Sequence, residues 1–375
     1  MADIYRRLAK FLDRLPAGFP PTPGGAELKI LRKLFTPEEA GLFMQLSLLS
    51  ESARVVAFRA HLPLAQVTSM LEKMAEKGLI SAGYSPGRSG STAEYSVNQF
   101  VIGFMEEQVD HLDRELVDLA EEYTPLFFKD GPWSKVPQLR TIPIKEAIPV
   151  EHAVMPYERA EDIVRTHTRF AVRNCVCRQE RELIGLGCGK PLEVCLSFDN
   201  GAEQSVRAGR ARMISMDEAL AIFKQAEQAG LVLQPSNSKD PICICACCGC
   251  CCGVLRNIKQ FDKPADLVSN PFIARHDANL CSACEVCIER CQMEAVTLID
   301  GTVSLNQERC IGCGLCVSTC PSGALSLVRK AEPPSIPRDT VSTYLQMAQA
   351  RDKLGLLPMA GMLVRSKIDR LLAPR

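Results

Sequence analysis

The chain has 375 residues, 44 basic and 44 acidic side chains, and 19 cysteines. A formal charge of zero excludes a polycation that holds nucleic acid by bulk charge, and the length excludes a disulfide-stapled miniature. Hydrophobic residues at 46% and charged residues at 23% fit two or three soluble globular domains.

Residues 1–26 open with an amphipathic helix over Met1 to Leu15, followed by a Pro/Gly linker. Arg6, Arg7, Lys10, Asp13 and Arg14 interrupt its apolar residues, unlike the continuous apolar core of a signal peptide. No apolar run reaches the roughly 18 residues needed to span a bilayer. A cytoplasmic, reducing setting is expected. There, clustered cysteines mean metal or redox chemistry rather than disulfides, and full pairing of an odd number would strand one thiol in any case.

Residues 27–104 read as a winged helix. Thr36-Pro37-Glu38-Glu39 signals a capped helix start. A second short helix fits Ser52 to Ala60. A third begins near Pro63, follows the stripe Val67, Leu71 and Met74, and ends at Gly78. Leu79 to Tyr84 and Ala93 to Val97 read as strands, with the turn-rich Ser85 to Ser91 as the wing. The outward face of the third helix alternates Glu72, Lys73, Glu76 and Lys77, and Arg88 is the wing's only base. That mixture argues against DNA, and for a module that docks a redox partner or a second copy of the chain.

Residues 105–162 read as an acidic helix from Met105 through Leu119. A connector broken by Pro125, Pro132, Pro137, Pro143 and Pro149 follows.

Every cysteine lies between Cys175 and Cys320. Residues 163–262 form a cysteine-rich region. A helix from Glu158 to Phe170 is expected to lead into a loop carrying Cys175, Cys177, Cys188 and Cys195, bent by Gly185, Gly187 and Gly189. Four thiolates on such a loop suit a third cluster or a zinc ion. Arg178 is a candidate hydrogen-bond donor to cluster sulfides. Ser215 and Glu218 form a capping box for a helix that ends at Gly230.

The run Cys243 to Cys252 holds seven thiols in ten residues. As a strand, it would put Cys243, Cys245 and Cys247 on one face. Cys248 would then lie on a turn, with a helix starting at Gly253. Iron–sulfur ligation is the sharper reading, and the two groups can share a cluster. A thiol relay is the alternative.

Residues 263–330 carry the strongest signal. Cys281, Cys284, Cys287 and Cys291 stand in C-x2-C-x2-C-x3-C spacing, and Cys310, Cys313, Cys316 and Cys320 repeat it 29 residues on. The spacing suits two [4Fe–4S] clusters with crossed ligation. Cys281, Cys284, Cys287 and Cys320 would hold one, and Cys310, Cys313, Cys316 and Cys291 the other. The fourth cysteine of each set is expected to begin a helix. Zinc knuckles would need a longer separation between pairs. Gln292 stands where a proline usually follows the fourth cysteine, and Asp300-Gly301 signals a hairpin. Residues 331–375 read as a helical tail, so the whole chain is expected to be a multidomain α+β protein.

The segments Leu15 to Thr22, Leu34 to Ala40, the Cys-x-Cys-Arg at Cys175, the helix at Ser215, the cysteine run after Ile242 and the double ferredoxin motif together resemble a family of 4Fe–4S dicluster-domain proteins of anaerobic bacteria and archaea. The resemblance implies an iron–sulfur protein passing single electrons between redox partners in anaerobic metabolism. A redox-sensing winged-helix regulator, or an iron–sulfur enzyme with an unusual cluster at the cysteine run, are the alternatives. No glycine-rich nucleotide fingerprint is present.

Overall fold

The computed structural model describes residues 3–83, 93–147, 155–351 and 356–374. It mixes helix and sheet, and its contacts divide into two units. One comprises Met1–Pro132 with Gln204–Arg210 and Tyr344–Arg375. The other comprises Trp133–Glu203 with Ala211–Thr343.

In the first unit, α1 (Ile4–Arg14) is capped by Asp3, whose carboxylate accepts from Tyr5 N, and it buries Leu8 and Leu12. Helix α2 (Ala26–Leu34) follows left-handed Gly25. Helix α3 (Pro37–Phe43) starts with a reciprocal box. Thr36 Oγ1 accepts from Glu39 N at 3.2 Å, and Glu39 Oε2 accepts from Thr36 N at 2.9 Å. Strand β1 (Glu51–Ser52), α4 (Ala53–Ala60) and α5 (Leu64–Glu76) come next. Helix α5 buries Val67, Leu71 and Met74 and exposes Glu72, Lys73 and Glu76. Strands β2 (Ile80–Gly83) and β3 (Glu94–Val97) complete an antiparallel sheet ordered β1-β3-β2. The expected wing lies outside the described residues.

Two expectations fail next. Only a single 3-10 turn, Glu106–Gln108, follows Met105 in place of the expected helix. Helix α6 spans Arg114–Asp130 and starts at Asp113, whose side chain caps Leu116 N at 2.9 Å. Asp110, with φ at 64°, breaks the chain ahead of it. Pro125 does not open a connector either, because it sits inside α6. An interior proline costs about 3 kcal/mol. Burial of Leu116, Val117, Tyr123, Phe127 and Phe128, with Phe100 edge-on against Tyr123 and Phe127 and Phe19 tilted against Tyr123, offsets the loss.

The second unit opens with α7 (Ala160–Arg165), shorter than the helix expected to reach Phe170. Phe170 instead begins β4 (Phe170–Asn174), a Phe-Ala-Val segment buried between two partner strands. Then come α8 (Val176–Leu183), β5 (Glu193–Phe198), α9 (Asp199–Arg207), β6 (Arg212–Ile214), α10 (Met216–Gln228), β7 (Val232–Pro235), β8 (Cys243–Cys247) and α11 (Gly253–Ile258). The five strands form an antiparallel sheet ordered β6-β4-β5-β8-β7. The cap of α10 is half of the expected box. Ser215 accepts from Glu218 N, but the Glu218 carboxylate turns to Arg212 at 2.6 Å.

The rest of this unit is a duplicated module. Strand β9 (Phe272–His276), α12 (Val286–Arg290), β10 (Val296–Ile299), β11 (Thr302–Leu305), α13 (Leu315–Ser318) and β12 (Leu325–Arg329) follow in order. Strand β9 pairs with β12, and β10 with β11 across the Asp300-Gly301 turn. The repeat shows in the backbone. Ala283 and Gly312, Glu285 and Gly314, and Glu294 and Gly323 occupy matching positions, and all six have positive φ.

Candidate metal centres

The two loops of the duplicated module each wrap a recess. One, of about 370 Å³, is lined by Cys291, Cys310, Cys313 and Cys316. The other, of about 300 Å³, is lined by Cys281, Cys284, Cys287 and Cys320. Each recess therefore gathers three cysteines from one loop and the fourth from the other. The third cysteine of each set stands on a helix, Cys287 on α12 and Cys316 on α13. The fourth does not begin a helix as expected. Cys291 caps the end of α12 in extended conformation, and Cys320 follows the end of α13. Ending the helix there leaves the fourth thiol free to leave its own loop and join the other.

Backbone amides face the sulfurs: Ala274 N donates to Cys310 Sγ at 3.4 Å, Ala295 N to Cys291 Sγ at 3.2 Å, and Ala283 N to Cys281 Sγ at 3.4 Å. Burial pushes the Cys313 thiol up to about 12. A bare thiolate is disfavoured there, so the pocket suits sulfur whose charge is shared with iron.

A family model, that of the 4Fe-4S binding domain, matches residues 303–326, the segment carrying Cys310, Cys313, Cys316 and Cys320. The match places a 4Fe-4S binding segment at residues 303–326, and together with the many cysteines it indicates iron–sulfur cluster binding. No curated protein and no solved structure matches it. No helix among the described residues is long and apolar enough to cross a membrane.

The other eleven cysteines do not sort by sequence. Expected companions Cys175, Cys177, Cys188 and Cys195 do not share a loop. Cys175 caps α8, Cys177 lies in its first turn, and Cys195 sits in β5. Only Cys188 is on the glycine-bent loop. It meets the second half of the cysteine run: the sulfurs of Cys188, Cys248, Cys250 and Cys251 all lie within 4.8 Å of one another. Cys188 Sγ is 3.9 Å from Cys248 Sγ, and Cys250 Sγ is 3.7 Å from Cys251 Sγ. A tetrahedral ion with metal–sulfur bonds of about 2.3 Å needs thiolates about 3.8 Å apart. This set fits one such ion, and a cubane would hold its four thiolates wider.

The remaining seven gather on the sheet. Cys195 and Cys245 are direct cross-strand partners. Electrostatically, Cys175 is coupled to Cys177 and Cys195, Cys177 to Cys252, Cys252 to Cys247, Cys247 to Cys245, and Cys245 to Cys195. Six thiols thus close a ring, and Cys243 hangs from Cys245. Cys248 follows the end of β8, in the turn expected for it, and joins Cys188, Cys250 and Cys251.

Arg178 is 4% exposed. Its NH1 donates to Pro191 O at 2.9 Å and its NH2 to Ala246 O at 3.0 Å. Burial alone would lower its pKa, but Cys175, Cys248, Cys247 and Cys195 around it raise it instead. The guanidinium therefore faces members of both thiol sets.

Gln292 carries a role that its missing-proline reading concealed. Its Oε1 accepts from Gly249 N at 2.8 Å, tying the duplicated module to the cysteine run. A Cβ on Gly249 would meet Gln292 O at 1.9 Å. Arg290 adds a second tie by donating to Glu227 O and Gln228 O at the end of α10.

Proposed function

We propose that this chain is an electron-transfer protein that passes single electrons between redox partner proteins. The observation that carries the reading is the pair of four-cysteine recesses with crossed membership. Cys281, Cys284, Cys287 and Cys320 hold one [4Fe–4S] cluster, and Cys310, Cys313, Cys316 and Cys291 hold the other. Such clusters supply one-electron chemistry at potentials set by charge, burial and hydrogen bonds to sulfur. The amides of Ala274, Ala283 and Ala295 supply those hydrogen bonds. Cys188, Cys248, Cys250 and Cys251 hold one tetrahedral ion. The cysteine-free unit serves as the docking module. The exposed face of α5 mixes Glu72 and Glu76 with Lys73, and Lys77 is paired with Glu39 at 2.7 Å. That charge pattern supports a protein partner over DNA.

Protein purified without oxygen should contain at least about eight irons and as many sulfides per chain. Dithionite reduction should give the EPR spectrum of two interacting reduced clusters. Cys291→Ser and Cys320→Ser should each perturb one cluster while the other persists. Full-length protein that carries zinc and no sulfide would overturn the reading.

A further inference from the structure

The six-thiol ring lies on one face of the five-stranded sheet and in the first turns of two helices. Three strand residues, Cys195, Cys245 and Cys247, face three helix-start residues, Cys175, Cys177 and Cys252. We propose that this ring binds a single polynuclear iron–sulfur cluster, larger than a cubane, through all six of its thiols.

The inference rests on the reading of the chain as an iron–sulfur protein and goes beyond it. One ion or one cubane takes four thiolates. No four of the six stand apart: Cys195 pairs with Cys245 across the sheet, Cys247 shares its strand face, Gln234 opposite Cys245 reaches Cys252, Gly253 beside Cys252 reaches Cys177, and Cys175 is electrostatically coupled to Cys177 and Cys195. Assigning four would leave two buried thiols against the cluster with nothing to ligate. Disulfides account for the arrangement less well. Cys195 has two sulfur neighbours and Cys245 has three, and seven thiols cannot all pair.

The surroundings suit an anionic, sulfide-rich guest. Arg178 faces Cys175, Cys195 and Cys247, and Arg173 faces Cys243 and Cys245. Gly253 N donates to Cys177 Sγ at 3.5 Å, and Gln234 Nε2 to Cys252 Sγ at 3.8 Å. Two buried donors, Arg178 Nε and Ser197 Oγ, have no hydrogen-bond partner among the described residues. Ser197 lies two positions from Cys195, on the same face of β5, and opposite Cys243. Buried donors are rarely left idle, and sulfide is the acceptor such a cluster brings. Iron is favoured over zinc because a tetrahedral zinc ion closes with four ligands, fewer than the six thiols gathered here.

The test uses the full chain, assembled in a cell and purified without oxygen. Iron, acid-labile sulfide and zinc are counted, and Mössbauer spectra recorded. Wild-type protein should carry more than about twelve irons per chain, beyond the content of three cubanes. The double variant Cys177→Ser/Cys245→Ser should lose all iron above about eight and keep the dicluster EPR signal. Cys243→Ser should keep the full iron content, because that thiol lies outside the ring. Iron of about twelve or less in the wild type, zinc in place of the excess iron, or loss of the excess in Cys243→Ser would overturn the six-thiol assignment. Failure of the electron-transfer reading would look different, because the dicluster signal itself would be missing from the wild type.

Discussion

Arg178 leaves the first turn of α8 and ends on two backbone carbonyls from different segments, Pro191 O and Ala246 O. Both bonds are charge-assisted, worth about 1.5–3 kcal/mol each when buried. They fix the loop before β5 and the end of β8, the two segments that present Cys195 and Cys247. Arg178→Met should therefore lower the thermal midpoint and release iron during anaerobic gel filtration. Arg178→Lys keeps the charge but lacks the fork that reaches both carbonyls, so it should fall between the variant and the wild type. Equal iron retention in all three proteins would remove Arg178 from the assembly. The sequence placed this arginine beside cysteines but gave no sign of its carbonyl partners, because Ala246 lies 68 residues away. Gln292 was opaque for the same reason, with its partner Gly249 43 residues distant. A side chain's local context shows what it replaces, not what it reaches.

The duplicated loops show how far an element can be read before it is seen. Cysteine spacing pointed to the two loops and to the sharing of their fourth cysteines that the recesses show, and Asp300-Gly301 pointed to the hairpin between them. The spacing did not specify which half is strained. The second loop turns at Gly312, Gly314 and Gly323, whereas the first makes the same turns with Ala283, Glu285 and Glu294. Side-chain-bearing residues at positive φ cost roughly 1 kcal/mol each. Two of these glycines, Gly312 and Gly314, are also sterically required. A Cβ on Gly312 would meet Phe272 O at 2.2 Å, and one on Gly314 would meet Ala147 Cβ at 2.4 Å. Ala283→Gly/Glu285→Gly should raise the anaerobic thermal midpoint of cluster loss, by relief of about 1–2 kcal/mol. Gly312→Ala should lower it and should disturb the Cys310–Cys313–Cys316 cluster first. A double-glycine variant that bleaches sooner than wild type would show that the strain is not borne by these residues. The misread strand at Phe170 has a different cause. Its apolar run was compatible with a helix end, and only two flanking partner strands, supplied by residues 193–198 and 212–214, made it β. Pairing of that range is absent from any local window.

Across the whole molecule, all nineteen thiols lie in one of the two units, and chain order is a poor guide to how they divide. The run from Cys243 to Cys252 is split by its own backbone. As a strand, it gives Cys243, Cys245 and Cys247 to the sheet face, and the turn after it gives Cys248, Cys250 and Cys251 to Cys188. The helix start returns Cys252 to the ring. This division sets an order of metal loss. Cys250 is exposed, and Cys188 lies on a loop, so a chelator can approach the four-thiol site from solvent. The ring thiols Cys175, Cys247 and Cys252 are buried, and clusters held in the two ferredoxin-type recesses as proposed would give up iron only on being dismantled. Prolonged anaerobic treatment with a strong divalent-metal chelator should remove about one ion per chain with little loss of charge-transfer absorbance near the visible. Cys250→Ser should be purified already lacking that ion, with iron and sulfide unchanged. Parallel loss of the ion and the iron–sulfur colour would mean that Cys188, Cys248, Cys250 and Cys251 belong to a cluster continuous with the ring rather than to a separate centre.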